Sequence, residues 1–342
     1  MFKMCPQPSG MFAWLAALWI GMGCAPTDAV RADTAVDEDA LASVYVDATY
    51  EVDVTTHVYG RGLFHDYFGG APLGSMALEL DVWEPRDAPP GRPAVVLIHG
   101  GGFTGGSRHD RVDFASFLSE RGFVVLNIDY RLAGDVGTVP DDWFRLVVGL
   151  DLPAADERQA MAIYPAARDA KAAVRWLHAN AETYAIDTDR VTAIGGSAGA
   201  SLAIMLGVTD EADFRDELST AQDSSLLTTN LDAAADVHTI IDHWGGGTLL
   251  EMLEEFDGQP RFDGLDAPIS IVHGTDDPTV SFEQAELLRE AYIETGVPHA
   301  FYPLDGAGHG AWNQTVDGMS LPALSLAFIA EQQELVVIED QD

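Results

Sequence analysis

Arg190-Val191-Thr192-Ala193-Ile194-Gly195-Gly196-Ser197-Ala198-Gly199 is the stretch on which the fold turns. Arg190–Ile194 is short, apolar and β-branched, which predicts a buried strand rather than a helix. The next five residues match G-x-S-x-G, the pattern of a serine on a sharp strand-to-helix turn. Small neighbours are needed there because a side chain would meet the backbone beside it. The turn aims the Ser197 hydroxyl at the start of the next helix, where the dipole favours a developing negative charge. The competing reading is a small-residue turn that serves only strand–helix packing.

Outward from this turn the chain alternates strand and helix signals. Upstream, the sequence predicts β-rich stretches over Val44–Tyr59 and Met76–Trp83, the second alternating as a half-wet strand. Ala94–Ile98 and Phe123–Ile128 read as buried parallel strands, separated by a helix over Ser107–Arg121 that Gly122 stops. A helix is predicted over Ala160–Tyr184. Downstream come strands at Val237–Ile241, Ile269–Val272 and His299–Tyr302, with helices at Phe282–Thr295 and Leu321–Gln332. Such alternation implies an α/β domain over residues 44–342, with a mostly parallel central sheet and helices on both faces. Residues 134–159, holding Pro140, Trp143, Phe144 and Pro153, are long for a connection. They read as a lid-like insertion or as a surface excursion packed on the body.

Three further motifs carry chemistry. His99-Gly100-Gly101-Gly102-Phe103 follows a buried strand. Consecutive glycines let backbone N–H groups approach an oxyanion, so Gly101 and Gly102 are candidate donors with Ala198 as a third. His99 is expected to hold that loop in shape. A phosphate cradle fits poorly, because no G-K-[ST] follows. His273-Gly274-Thr275-Asp276-Asp277-Pro278 follows a late strand and offers Asp277 as a carboxylate, with Asp276 as rival. Gly306-Ala307-Gly308-His309-Gly310 then offers a histidine among small neighbours. Serine, carboxylate and imidazole in that order are the parts of a nucleophile–base–orienter chain. Phe103, Trp143 and Trp244 are candidate substrate contacts, with Tyr130, Phe144 and Trp312 as further aromatic walls; core packing is the alternative for each.

These residues, with Asp129-Tyr130-Arg131-Leu132 and Asp169–Leu177, resemble the bacterial carboxylesterases of the α/β-hydrolase superfamily, near the hormone-sensitive-lipase-like and feruloyl/acetyl-esterase-like branches. One departure stands out: Gly196 occupies a position where the hormone-sensitive-lipase pattern more often has Asp. The resemblance implies a catalytic triad of Ser197, Asp277 and His309, with short to medium acyl esters as substrates and no metal or organic cofactor. A polysaccharide acetyl or feruloyl esterase, a peptidase and a non-catalytic binding protein on the same scaffold stay open.

Composition narrows the partners. The 342 residues carry 55 Asp plus Glu against 18 Lys plus Arg, a formal net charge of −37. That field repels nucleic-acid phosphates and anionic membrane faces; a small-molecule ester is the partner that the resemblance implies. Screening by salt would relieve the self-repulsion. Cys5 and Cys24 are the two cysteines, so no disulfide framework holds the main domain. Residues 1–24 read as a signal peptide or lipoprotein signal, with an apolar stretch at Met11–Ile20 and Cys24 in a partial lipobox. Cleavage near Val30-Arg31-Ala32 is the alternative. Residues 25–43 read as a flexible leader, and the protein is expected to be secreted or periplasmic, with lipid anchoring through Cys24 as one form.

Overall fold

Runs in which every residue is apolar or β-branched must be covered on both faces. The computed structural model, which describes residues 42–339, covers them with helices. The strands and helices begin with Ser43–Tyr45 (β1), Val52–His65 (β2), Pro72–Pro85 (β3), Arg92–Ile98 (β4), Val112–Ser119 (α1) and Val124–Ile128 (β5). Asp141–Gly149 (α2), Ala154–Ala179 (α3), Ile186–Gly196 (β6), Ala198–Val208 (α4), Thr239–His243 (β7) and Thr248–Asp257 (α5) follow. The last third holds Ile269–Gly274 (β8), Phe282–Thr295 (α6), His299–Leu304 (β9), Thr315–Val316 (β10), Met319–Ser320 (β11), Leu321–Gln332 (α7) and Val336–Ile338 (β12).

Eight strands form one sheet in the order β2-β3-β5-β4-β6-β7-β8-β9. β4 to β9 run parallel, and β2 and β3 close one edge as an antiparallel pair. Period-two alternation sorts β4 onto two cores. Ala94, Val96 and Ile98 pack with α3 and α4, while Val95 and Leu97 pack with α1 and α7. Because β6, β8 and β9 share a direction, their C-terminal ends lie along one edge, and loops leaving that edge build sites in open α/β sheets.

Several boundaries differ from the sequence reading. The helix expected over Ser107–Arg121 starts only at Val112, because Asp110 takes the Ser107 N–H in a local turn. The long helix starts at Ala154, six residues before the expected Ala160. The segment 134–159 therefore contains α2 and the first turns of α3. It is packed rather than loose: Trp143 is fully buried, with ring centroids 5.5 Å from Tyr164 and 5.9 Å from Phe256. At the N-terminus, Ser43 is not leader but part of β1, which pairs in parallel with β12. Residues 1–24, expected to be an export signal, with Cys24, and residues 25–41 lie outside the described residues.

Candidate active site

Ser197 sits between the last residue of β6 and the first of α4, with φ 57° and ψ −125°. A non-glycine residue in that region costs roughly 1–3 kcal/mol and persists only where its surroundings hold it. Here they do. The Ser197 N–H donates to the His243 carbonyl at 2.9 Å. A side chain at Gly195 would run into the backbone of Gly199, and one at Gly199 into the Ile98 carbonyl. Helix and strand can therefore approach only with glycine on both sides of the serine.

The three side chains singled out by sequence meet. His309 Nε2 lies 2.9 Å from Ser197 Oγ, and His309 Nδ1 lies 2.7 Å from Asp277 Oδ2. A carboxylate only accepts, so Nδ1 carries the proton and Nε2 is the acceptor for the serine hydroxyl. The Asp277 side chain is buried, and the His309 side chain is 22% exposed. Burial alone would raise the Asp277 carboxyl. The bond from His309 and the N–H groups of Thr279 and Val280 outweigh it and hold the group below its ordinary value. The His273 ring stands 3.4 Å from Asp277 Oδ2 but donates to the Val280 carbonyl at 3.0 Å. Asp276, the rival carboxylate, is exposed.

The glycine loop after β4 faces the same serine. Gly101 has φ +106°, and its carbonyl accepts from the N–H groups of Thr104 and Gly105. That turn leaves the N–H groups of Gly101 and Gly102 without an acceptor among the described residues. The Ala198 N–H is the first of α4 and has no partner within the helix. His99 is buried and stacked on Tyr130, with ring centroids 4.2 Å apart. Its Nδ1 donates to the Gly100 carbonyl at 2.7 Å, and burial lowers its basicity. A neutral His99 thus braces the loop, as its position in the motif led one to expect. Gln159 Nε2 donates to the Gly102 carbonyl at 2.7 Å, a brace from α3 that nothing in the sequence pattern marks.

A cavity of about 490 Å³ opens over Ser197. Trp244 lines it, and so do Trp312, Arg111 and Thr279. The other two candidate substrate contacts do not. Phe103 is turned into the core by a φ of 58° and packs edge-on against Tyr130. Trp143 is the anchor of α2. Both are large apolar side chains whose burial in the core outweighs exposure to a ligand. Sequence reasoning misses Arg111 and Thr279, since neither residue type has a periodicity or motif that marks a pocket wall.

Comparison with known proteins agrees with this architecture. The BD-FAE family matches residues 80–141 and 157–263, spanning the glycine loop and the serine turn. The break between them covers most of α2 and the approach to α3. The thermophilic esterase Est2 of Thermogutta terrifontis, solved with propionate bound, superposes with a TM-score of 0.55 at 23% identity over 83% of this chain and 94% of that one. The chain has the α/β-hydrolase fold. Esterase LipQ of Mycobacterium tuberculosis is 28% identical over 65% of this chain and 51% of its own length. Fumonisin B1 esterase of Sphingopyxis macrogoltabida is 32% identical over 42% of this chain and 26% of its own. The chain spans about half or less of these curated relatives. The same T. terrifontis esterase has also been solved phosphorylated by paraoxon, at a TM-score of 0.56 and 24% identity over 81% of this chain and 94% of that one.

Proposed function

We propose that this α/β-hydrolase is a serine carboxylic-ester hydrolase that acts on short to medium acyl esters through an acyl-enzyme. The observation that carries the reading is the Asp277–His309–Ser197 chain, aligned beside the unpaired N–H groups of Gly101 and Gly102. In the first step His309 Nε2 takes the Ser197 proton as Oγ attacks the ester carbonyl. Asp277 fixes the tautomer and stabilises the imidazolium. The carbonyl oxygen becomes an oxyanion held by the N–H groups of Gly101, Gly102 and Ala198. Removing one such donor typically raises a barrier by about 3 kcal/mol. His309 then gives its proton to the departing alkoxide. Water attacks the acyl-enzyme by the same route in reverse, and Ser197 is released.

Short acyl groups are favoured by the modest cavity and its aromatic end, and by propionate in the T. terrifontis relative. The sequence of residues 1–24 supports an exported enzyme, which N-terminal mass spectrometry of the mature protein would test. The function itself is tested with a fluorophosphonate probe and p-nitrophenyl esters. The wild type should label once and hydrolyse acetate to hexanoate esters, and Ser197→Ala should do neither. A wild type that neither labels nor turns over any ester would leave a binding protein on a hydrolase scaffold.

A further inference from the structure

The Gly196 position, where the related pattern more often has Asp, is explained by what fills the space beside it. A Cβ on Gly196 would lie 2.6 Å from Trp312 Cζ2. The indole of Trp312 thus occupies the volume that a side chain before the nucleophile would take. It is also held in place. Trp244 meets it edge-on at 4.5 Å between ring centroids, His243 lies 5.0 Å away, and the Arg111 guanidinium stacks over it at 4.1 Å. Phe114 also meets it edge-on, at 6.2 Å between ring centroids. An aromatic ring packed on several sides and under a cation is a fixed wall, not a gate.

The direction of that wall follows from the reacting carbon. A tetrahedral centre on Ser197 Oγ has three other substituents. The oxyanion points to the glycine loop and Ala198, and the leaving oxygen points to His309 Nε2, which must protonate it. The acyl group takes the remaining direction, toward Gly196, Trp244 and Trp312, which line the same cavity as Ser197. We infer that Trp312, seated against Gly196, is the residue that sets the acyl length this enzyme accepts, restricting it to esters of short carboxylic acids. This rests on the esterase reading above and specifies which side of the ester that site selects.

The test measures kcat/KM per active site, counted by fluorophosphonate titration, on p-nitrophenyl acetate, butyrate, octanoate and decanoate. Wild-type enzyme should favour butyrate over decanoate by about tenfold or more. In Trp312→Ala the decanoate-to-butyrate ratio should rise by about tenfold, with Trp312→Phe between, because each methylene admitted to or refused by an apolar pocket shifts discrimination on that scale. A parallel series of acetate esters with alcohols of rising size should change its ranking by less than about threefold. The reverse substitution supplies a second reading that survives poor folding of Trp312→Ala. Gly196→Ala should lose butyrate turnover by about tenfold, and Gly196→Ala/Trp312→Phe should recover it, a coupling expected of side chains in contact. An unmoved acyl ratio in a Trp312 variant that still titrates overturns the inference. So does a shift confined to the alcohol series, or additive Gly196 and Trp312 effects. Failure of the wild type to label or hydrolyse any ester would instead remove the esterase reading itself.

Discussion

Two histidine–aspartate pairs lie within reach of the serine turn, and they are opposites. His309 and Asp277 sit on loops beyond β9 and β8. Both His309 nitrogens are bonded, and Asp277 accepts from His309, Thr279 and Val280. Asp242 and His243 are adjacent at the end of β7, so their side chains fall on opposite faces of the sheet. Both are fully buried. Asp242 Oδ1 accepts the Gly245 N–H, but Oδ2 has no partner among the described residues, and burial pushes the carboxyl up to about 7. Neither nitrogen of His243 makes a well-formed hydrogen bond; burial lowers the ring to about 3, and the Gly195 backbone offsets only part of this. Partners, not residue types, decide the outcome. The pair whose side chains bond each other keeps a charged carboxylate beside the imidazole, whereas the pair that burial leaves short of partners is pushed toward its neutral forms and serves as packing.

Activity should break the comparison most sharply. Ser197→Ala or His309→Ala is expected to lower kcat by about 10⁶-fold, and Asp277→Asn by about 10⁴-fold, the scale on which such units fail together. His243→Phe removes the buried imidazole of the residue whose carbonyl accepts the Ser197 N–H, and should stay within about tenfold of wild type, since that ring exchanges no proton. Single-turnover release of p-nitrophenol measures all four. A His243 loss comparable to that of His309 would show that the buried ring takes part in the chemistry.

Stability against pH is the next largest effect, and there the buried pair should show itself. Asp242 has a raised folded value, about 7 against 3.8. Its contribution is fully present below pH 3.8 and is lost as the pH climbs through 7. His243 has a lowered folded value, about 3 against 6.5. Its contribution is present above pH 6.5 and is lost as the pH falls toward 3. Between pH 3.8 and 6.5 the two slopes oppose each other. Asp242→Asn keeps the acceptor for Gly245 and removes one slope. Its stability relative to wild type should increase by about 4 kcal/mol between pH 4 and pH 7.5, because a proton held by the folded chain alone is worth about 1.4 kcal/mol for each pH unit crossed. Urea unfolding at the two pH values measures this. An equal gap at both would mean that Asp242 is not held protonated by the fold.

Legibility follows the same line between local and distant partners. Gly195 and Gly199 are readable because what they would clash with lies on the adjoining strand end and helix turn, whereas the Trp312 ring that fills the space beside Gly196 comes from a distant loop. The Ser197, Asp277 and His309 positions are readable because each follows a strand whose direction the βα alternation fixes. Trp143 is misread from sequence because burial depends on what α2 lands on, namely Tyr164 and Phe256, which lie far along the chain. Phe103 is misread because a single positive φ turns its ring inward. Ser107–Arg111 has the composition of a helix, but the Asp110 carboxylate captures the Ser107 N–H and delays the start to Val112.

Gln159 applies the same partner rule to a neutral bond. Its side-chain N–H links α3 to the Gly102 carbonyl, and α3 is anchored by a long buried face. A Cβ at Gly102 would lie 3.1 Å from Gln159 Nε2, so the contact is close as well as bonded. Gln159→Ala deletes the donor and leaves a gap beside Gly102, freeing the loop to wander from the geometry an oxyanion needs. The expected loss in kcat is about tenfold, the scale of one net hydrogen bond acting through position rather than by touching the oxyanion. KM should change by less than about twofold, because Gln159 does not line the cavity. Gln159→Glu cannot donate to the carbonyl and should resemble Ala, whereas Gln159→Lys restores a donor and should recover part of the rate. Loss in KM alone, or equal rates for all three, would mean that the glycine loop holds its shape through His99 and Tyr130 without the brace from α3.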